Sequence, residues 1–427
     1  MQKLLTELCF NPGPIDGSWG NKTEMAFKEF YKPYGKYDGT FDDFELRLLN
    51  GIYSGATKKK KCEISRFSYD ADVSKKFLQN SLRKKLDQRK TINPFLAWNF
   101  SKPMKKYGLA WTGDVGRSSS TITLNEVYWN YHYVGKSFSH YHGIDKYLTN
   151  RNWDHAKEYG KTLATRILDP NYQSFIVEVM TSKVATSKSN GVMLDWWHNY
   201  HQSSSGYSKQ QVGKARESIA KKLRDALGPH GIILGNVSWV KDKKTIKYIN
   251  GVFLELSKIP HNKSSHRLYN SKELRDMEQL IIYYEKNLQY PKLIALEGWR
   301  KTTANTVQDR NSSENRKMAK LLTAMSVVIP TNGYILYADN NNDTPNGDHN
   351  HNYYDFYSFD IGEPVGDYEK LANGVGIKKH QKGFIAYNRN SRPHILNLDS
   401  DVNLVIEGTS GLFCKKKNSG YDCLPSD

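Results

Sequence analysis

Short apolar runs alternate with segments of helical periodicity between about residues 166 and 340. The apolar runs are GVML (191–194), GIILGNV (231–237), NGVFLEL (250–256), KLIALEGW (292–299) and GYILYAD (333–339). Apolar residues three and four positions apart predict helices at about 171–186, 209–227, 272–288 and 312–326. A strand buried on both faces has a continuous apolar sequence, and its alternation with helices is typical of parallel βα units.

Two α/β architectures fit this alternation, a doubly wound sheet and a (β/α)8 barrel. No phosphate-binding loop of the GxGxxG or GxxxxGK[ST] type follows any of the runs, and polar side chains end several of them separately. We therefore predict a TIM-like (β/α)8 barrel. The aromatic segments at 95–100, 108–113 and 126–135 are predicted to include its first strands.

The segments on either side of the barrel have different patterns. Residues 1–50 combine helical leucine spacing with a Pro/Gly-rich turn, and residues 383–408 alternate like antiparallel strands. The predicted organisation is a small N-terminal helical module at 1–50, a linker at 51–63, the barrel domain at 64–360 and a C-terminal β appendage at 361–427.

Most of the net charge of +18 lies in the middle of the chain. Between residues 61 and 360 there are 44 Lys/Arg against 28 Asp/Glu, which accounts for 16 of these charges. Such a surface attracts acidic polymers, although a lysine-rich surface without a ligand fits equally well. Nucleic-acid binding would rest on charge alone, because the lysine run at 58–61 is too short for a convincing patch. An aromatic content of 12% is compatible with carbohydrate binding and with ordinary cores.

The four cysteines do not form a disulfide scaffold. Cys9 and Cys62 are isolated, whereas Cys414 and Cys423 bracket a short polar loop and would pair in an oxidising compartment. The sequence has no apolar run of about 18 residues that would span a membrane. The N-terminus has no apolar segment typical of a signal peptide.

Carboxylates occupy the same relative place in three of the predicted strands. Asp195, Glu255 and Glu297 lie at strand ends, and Asn236 ends the strand between the first two. In a barrel these side chains converge at one mouth, where a pair of carboxyl groups is what cleavage of a glycosidic bond requires. The alternative for Asp195 is a cap of the following helix.

Aromatic and acidic residues just beyond the strand ends are candidates for substrate binding. Sugar rings could stack on these aromatic side chains, although each ring alone is as readily explained by packing. The predicted substrate-binding residues are Trp196, Trp197, Asn236, Trp239, Trp299, Tyr337 and Asp339. The polar loop that begins at Asp339 departs from a calcium loop at Thr344, and no metal or cofactor is predicted.

The central region resembles the TIM-barrel endo-alpha-1,4-polygalactosaminidases and related hypothetical glycosyl hydrolases. The shared pieces are LDPxY at 168–172, GVxLD at 191–195, Gly-Asn at 235–236 and NGVFxE at 250–255. The resemblance implies that Asp195 is the nucleophile or stabiliser and Glu255 the general acid/base. Glu297, on the strand next to that of Glu255, is an alternative acid or a hydrogen-bonding support. The family commonly has Asp-Asn-Val where this chain has Asp195-Trp196-Trp197.

The N-terminal module resembles the three-helix peptidoglycan-binding domain of bacteria. It keeps Pro12, Gly13, Asp16, Gly17, Trp19, Gly20, Thr23, Ala26 and Phe30 of that pattern, with Cys9 where glycine is common. The resemblance implies a targeting or spacer module for cell-wall glycan and favours an extracellular or cell-envelope location.

Two classes of function are consistent with these features. The first is a glycoside hydrolase that cleaves a microbial cell-wall or exopolysaccharide glycan, with an amino-sugar polymer as one candidate. The second is a non-catalytic carbohydrate- or cell-wall-binding protein on a barrel scaffold.

Overall fold

The computed structural model describes most of the chain in separate stretches. The described residues are 1–7, 10, 12, 14–31, 49, 71–98, 104–111, 118–133, 143–152, 162–198, 206–256, 269–301, 311–341, 349–399 and 402–425. The predicted linker at 51–63, both Cys9 and Cys62, and Thr344 lie outside them. The chain divides into two compact units, one formed by residues 1–79, 127–190 and 199–231, the other by residues 80–126, 191–198 and 232–427.

Helices and strands lie close to the predicted positions over the second half of the chain. The helices are α1 (Gln2–Glu7), α2 (Asn21–Tyr31), α3 (Ala71–Asp87), α4 (Pro170–Ser187), α5 (Lys209–Leu227), α6 (Ser271–Asn287) and α7 (Ser313–Val328). The strands up to the end of the barrel are β1 (Phe95–Ala97), β2 (Leu109–Trp111), β3 (Ile122–Val127), β4 (Tyr131–Tyr133), β5 (Leu148–Asn152), β6 (Thr162–Thr165), β7 (Gly191–Leu194), β8 (Ile232–Asn236), β9 (Gly251–Leu256), β10 (Leu293–Lys301) and β11 (Asn332–Asn341).

The first unit contains α1, α2, α4 and α5 together with a small antiparallel sheet of order β4-β6-β5. In the N-terminal module, Phe27 and Phe30 of α2 pack with Leu5 of α1. The Gln2 side-chain amide donates to Asp16 Oδ1 at 3.0 Å and accepts from the backbone N–H of Gly17 at 2.9 Å. Gly17 has a φ of +81°, so this turn favours glycine.

The second unit contains an eight-stranded parallel barrel of strand order β1-β2-β3-β7-β8-β9-β10-β11. The ring is nearly closed, because the backbone N–H of Ile335 in β11 donates to the carbonyl of Asn93, just before β1, at 3.0 Å. Side chains fill the barrel core, where Phe95, Trp111 and Phe253 are in mutual ring contact. The predicted fold class is thereby confirmed.

The third barrel strand is not the predicted one. It is β3, at Ile122–Val127, and the predicted segment 126–135 overlaps it only at its first two residues. That segment contains β4, which belongs to the separate antiparallel sheet. All six residues of β3 are buried, but Thr123 and Asn125 are polar. They interrupt the apolar run by which a buried strand is recognised in a sequence.

The predicted C-terminal β appendage is also confirmed. Its strands are β12 (Glu369–Ala372), β13 (Val375–His380), β14 (Gly383–Asn388), β15 (His394–Asp399), β16 (Val402–Ile406), β17 (Ser410–Lys417) and β18 (Gly420–Cys423). Cys414 and Cys423 are cross-strand neighbours joined by a disulfide. Glu278 of α6 accepts two hydrogen bonds from the region of β14. The Tyr387 hydroxyl, in β14, and Arg389 Nε, just after it, each donate to this carboxylate at 2.7 Å.

None of the described helices is long and apolar enough to cross a membrane.

Candidate active site

Four consecutive barrel strands bring polar side chains to one end of the barrel. Asp195 directly follows β7, Asn236 ends β8, and Glu255 and Glu297 are register partners in β9 and β10. Apolar residues earlier in these strands pack in the barrel core. The first polar side chains therefore come at the carboxyl end of each strand, where the strand extends beyond the core. The carboxyl ends of parallel strands meet at the same edge, which is where barrel enzymes place their chemistry.

The Asn236 side chain joins two of the carboxylates. Its Nδ2 donates to Asp195 Oδ1 at 2.9 Å and to Glu255 Oε2 at 2.7 Å, and its Oδ1 accepts from the backbone N–H of Ser238 at 3.3 Å. The two carboxylate oxygens are therefore no farther apart than the sum of the two bonds, 5.6 Å. Asn236 was predicted to bind substrate; in the structure it is 3% exposed, and its side-chain amide makes these three hydrogen bonds.

Burial raises the pKa values of both acids, and neighbouring carboxylates raise that of Glu255 further. It raises the pKa of Asp195 to about 6, against the opposing effects of the Asn236 amide, the Trp196 backbone N–H and the positive charge of His349. It raises the pKa of Glu255 to about 8; His349 lowers this value, Glu297 and Asp195 raise it further, and the Asn236 hydrogen bond lowers it. Near neutral pH, Glu255 therefore holds a proton while Asp195 is ionised, which is the pairing of a general acid with a nucleophile or base.

Glu297 is paired with a histidine from the loop that follows β11. His349 Nδ1 lies 2.8 Å from Glu297 Oε1, and the Glu297 side chain has no exposed surface. The His349 ring lies 4.4 Å from the ring of Trp98, which follows β1, and 5.4 Å from that of Trp299 in β10. Because Glu297 is buried and bonded to His349, its contacts favour the role of a hydrogen-bonding support over that of an alternative acid.

Sequence reasoning missed both His349 and Trp98. Trp98 lies within the aromatic segment 95–100 that was predicted to include a strand, and it directly follows β1 in the structure; this position was a usable signal. His349 is one of two histidines in a loop rich in Asp and Asn, and its sequence neighbours do not distinguish it from His351.

Glu255, Glu297 and His349 also bring one potential ligand atom each within 4.8 Å of one another. A metal ion could bridge groups at this spacing, but Nδ1 of His349 already forms a short hydrogen bond with Glu297. We therefore interpret the cluster as a site of proton chemistry.

The structure divides the predicted aromatic binding residues into two groups. Trp196 and Trp239 are partly exposed, as a stacking platform requires. Trp197 and Tyr337 have no exposed surface, and Trp299 is 6% exposed. Stacking on a sugar is therefore the wrong role for Trp197 and Tyr337, because neither ring is accessible.

Trp197 is instead part of the packing that supports the site. Its Nε1 donates to the Thr245 hydroxyl at 2.8 Å. Its ring lies against Gly235, where an added Cβ would come within 2.6 Å of Cδ1 of the indole. The glycine before Asn236 is explained by this close approach.

Asp339 is not accessible to substrate either. It has no exposed surface and accepts hydrogen bonds from the Tyr354 hydroxyl at 2.6 Å and from the Asn352 backbone at 2.9 Å. It anchors the segment that follows His349. The predicted substrate-binding role of Asp339 is thus corrected to a structural one.

Asp195 does not cap the next helix among the described residues. The next described helix, α5, begins at Lys209 and is capped by Ser208, whose hydroxyl accepts from the Gln211 backbone. Asp195 accepts from Asn236 and from the Trp196 backbone N–H at 2.9 Å.

The raised pKa of Glu255 predicts a pH-dependent gain in stability for Glu255→Gln. Because its folded-state pKa of about 8 exceeds the ordinary 4.5, Glu255 makes its full contribution to stability below pH 4.5 and loses it as the pH rises through 8. Relative to wild type, the variant should gain about 2–5 kcal/mol in free energy of unfolding between pH 5 and pH 9. Denaturant unfolding of both proteins at pH 5 and pH 9 measures this gain. A stability difference that does not change with pH would contradict the prediction, and so would an equal gain in the control variant Glu363→Gln, which alters an exposed glutamate.

Comparison with known proteins supplies similarities of fold only. No protein-family model matches the sequence, and no curated protein matches it. An alpha-amylase from Geobacillus thermoleovorans in complex with acarbose has a TM-score of 0.42 and 12% identity, over 79% of this chain and 97% of the other. An alpha-amylase from Malbranchea cinnamomea has a TM-score of 0.43 and 9% identity, over 78% and 87%. A variant of the glycoside hydrolase domain of PelA from Pseudomonas aeruginosa has a TM-score of 0.37 and 9% identity, over 61% and 97%. These solved structures are similar to the chain in their barrel fold.

Proposed function

We propose that this protein is a glycoside hydrolase that cleaves a microbial polysaccharide, with Asp195 as the nucleophile and Glu255 as the general acid/base. The observation that carries the proposal is the pair of carboxyl groups bridged by Asn236 Nδ2. Their pKa values of about 6 and about 8 leave one ionised and the other protonated near neutral pH. Glycosidic bond cleavage needs this combination.

In the first half of the proposed reaction, Glu255 gives its proton to the leaving oxygen while the Asp195 carboxylate attacks the anomeric carbon. In the second half, the Glu255 carboxylate takes a proton from water, which displaces Asp195 and releases the product. Asn236 keeps a hydrogen bond to each acid through both steps. Three tryptophan rings of the second unit are partly exposed, those of Trp98, Trp196 and Trp239. The proposed substrate stacks on these rings.

The proposed substrate is a cell-wall or exopolysaccharide glycan, and the proposed partner of residues 1–50 is a cell-wall glycan. Trp19 of that module is 39% exposed and Ile15 is 62% exposed. Exposed apolar side chains of this kind fit the face of a sugar ring.

The test uses purified full-length protein and a panel of microbial polysaccharides, including amino-sugar polymers and peptidoglycan. Release of reducing ends is measured for wild type and for the double variant Asp195→Asn/Glu255→Gln. Cleavage of one polymer by wild type and not by the double variant supports the proposal. If wild type binds a polymer and cleaves none of the panel, the non-catalytic binding function replaces it.

The short distance between the acids predicts a retained anomeric configuration. Carboxyl groups about 5–5.5 Å apart are typical of retaining glycosidases, whereas inverting enzymes need about 6.5–9.5 Å to admit a water molecule. Since Asp195 and Glu255 have oxygens at most 5.6 Å apart, the first product should have the configuration of the substrate. Proton NMR of the anomeric signals before mutarotation measures it, and an inverted first product would rule out Asp195 as the nucleophile.

A further inference from the structure

His349 is held in the site from several directions. Its backbone is in the left-handed region, with a φ of +62°, and its side chain is 13% exposed. Glu297 bonds to Nδ1, and the rings of Trp98 and Trp299 lie beside the imidazole. A side chain fixed in this way loses little conformational entropy when it acts on a neighbour.

The segment that carries His349 is anchored to the rest of the second unit. His351 Nδ1 lies 3.0 Å from the carbonyl of His349, and its Nε2 lies 3.0 Å from the Tyr107 hydroxyl. Asp339 holds Asn352 and Tyr354, as described above. The backbone at His349 is thus fixed by contacts with residues that have no part in the proposed chemistry.

His349 lies beside three carboxyl groups that would repel one another if all were ionised. Three carboxyl groups meet here: Asp195 and Glu297 are buried, and Glu255 is half-buried. One potential ligand atom each of Glu255, Glu297 and His349 lies within 4.8 Å of the other two. Among the described residues, the charged groups that act on Asp195 and Glu255 are His349 from the loop after β11 and, for Glu255, also Glu297 from β10 and Asp195 itself. Like charges this close cannot all ionise without a positive partner.

We propose that His349 is a positioning residue of the active site: held by Glu297, its imidazolium sets the charge state in which Asp195 is ionised and Glu255 carries the proton. The inference rests on the proposed function, but it concerns charge state and can be tested without substrate. With Nδ1 donating to Glu297, the imidazolium supplies a positive charge that balances one of the two ionised carboxylates.

The test is the pH dependence of His349→Gln, which keeps a hydrogen-bond donor and loses the charge. Because the positive charge lowers the pKa of both Asp195 and Glu255, both limbs of the bell-shaped profile of kcat/KM should move to higher pH, by roughly 1–2 units. His349→Lys, which restores a positive charge, should move both limbs back toward wild type. A change in kcat with both limbs in place would overturn the proposal and leave His349 a structural role.

His380→Gln is the matched control, since it alters a second buried histidine of the same unit, whose Nδ1 lies 2.8 Å from the Gly362 carbonyl. It should leave both limbs where they are in wild type; a shift equal to that of His349→Gln would overturn the proposal, because the shift would then not depend on the charge at position 349.

A second readout needs no catalytic activity. The folded-state pKa of Glu255 appears as the upper limit of the pH range over which the stability difference between a protein and its Glu255→Gln counterpart changes. This upper limit should be higher in the His349→Gln background than in wild type. If wild type cleaves no glycan but the upper limit moves, the proposed function fails while the role of His349 stands; an unmoved upper limit overturns the role of His349 whatever the activity.

Discussion

Asp195→Asn should lower kcat by about 10⁴-fold or more on the polymer that wild type cleaves. The asparagine keeps the size of the side chain and an oxygen that can accept from Asn236 and from the Trp196 backbone. It cannot supply the negative charge that attacks the anomeric carbon. The loss is therefore expected in kcat, with the fold and the affinity for substrate nearly unchanged. Initial rates of reducing-end release, together with thermal unfolding of the variant, measure both.

The matched control for Asp195→Asn is Asp242→Asn in the turn after β8. Asp242 is a second buried carboxylate of the same unit, 5% exposed, and it accepts from the backbone N–H groups of Lys244 and Thr245 and from the Thr245 hydroxyl. Its replacement is expected to reduce stability and to leave kcat within about tenfold of wild type. Retention of more than a tenth of wild-type kcat by Asp195→Asn would remove Asp195 from the mechanism.

Arg389→Met should destabilise the protein by about 3–5 kcal/mol. Arg389 and Glu278 form an ion pair at 2.7 Å, with side chains that are 5% and 3% exposed. Removal of the arginine leaves the Glu278 carboxylate buried, with the Tyr387 hydroxyl as its remaining described donor. Because the pair joins α6 to the end of β14, the loss should appear as lower resistance to denaturant without a change in the pH profile of activity.

The double variant Arg389→Met/Glu278→Met separates the cost of an unpaired charge from the cost of lost packing. With both charges gone, a hydrophobic pair is expected to recover most of the lost stability, since the desolvation of two ions is no longer required. If the double variant is as unstable as Arg389→Met, the two side chains contribute to stability through packing and not through the pairing of their charges.

The sequence contained enough to predict the second half of the barrel and most of the acid cluster. The runs that end at Asp195, Asn236, Glu255 and Glu297 are nearly free of polar residues, because these strands are covered on both faces. A run of this kind can be recognised without knowledge of its neighbours. β3 could not be found in the same way, since its buried Thr123 and Asn125 look like surface residues until their partners are known.

The roles of individual side chains were less predictable than the strands. Trp196 and Trp197 are adjacent and chemically identical, yet one is partly exposed and the other is sealed against Gly235. The difference depends on the left-handed turn at Trp196, whose φ is +54°. His349 comes to Glu297 from 52 residues away, and local sequence carries no information about such a distant pairing.

The shared amide of Asn236 constrains how this site can diverge. One nitrogen serves both acids, so a substitution at position 236 deprives Asp195 and Glu255 of a donor in a single step. Relatives that keep the chemistry should therefore keep all three residues as a unit. Relatives that use the barrel only as a scaffold should have substitutions at all three positions. A related sequence that keeps Asp195 and Glu255 but replaces Asn236 should be rare.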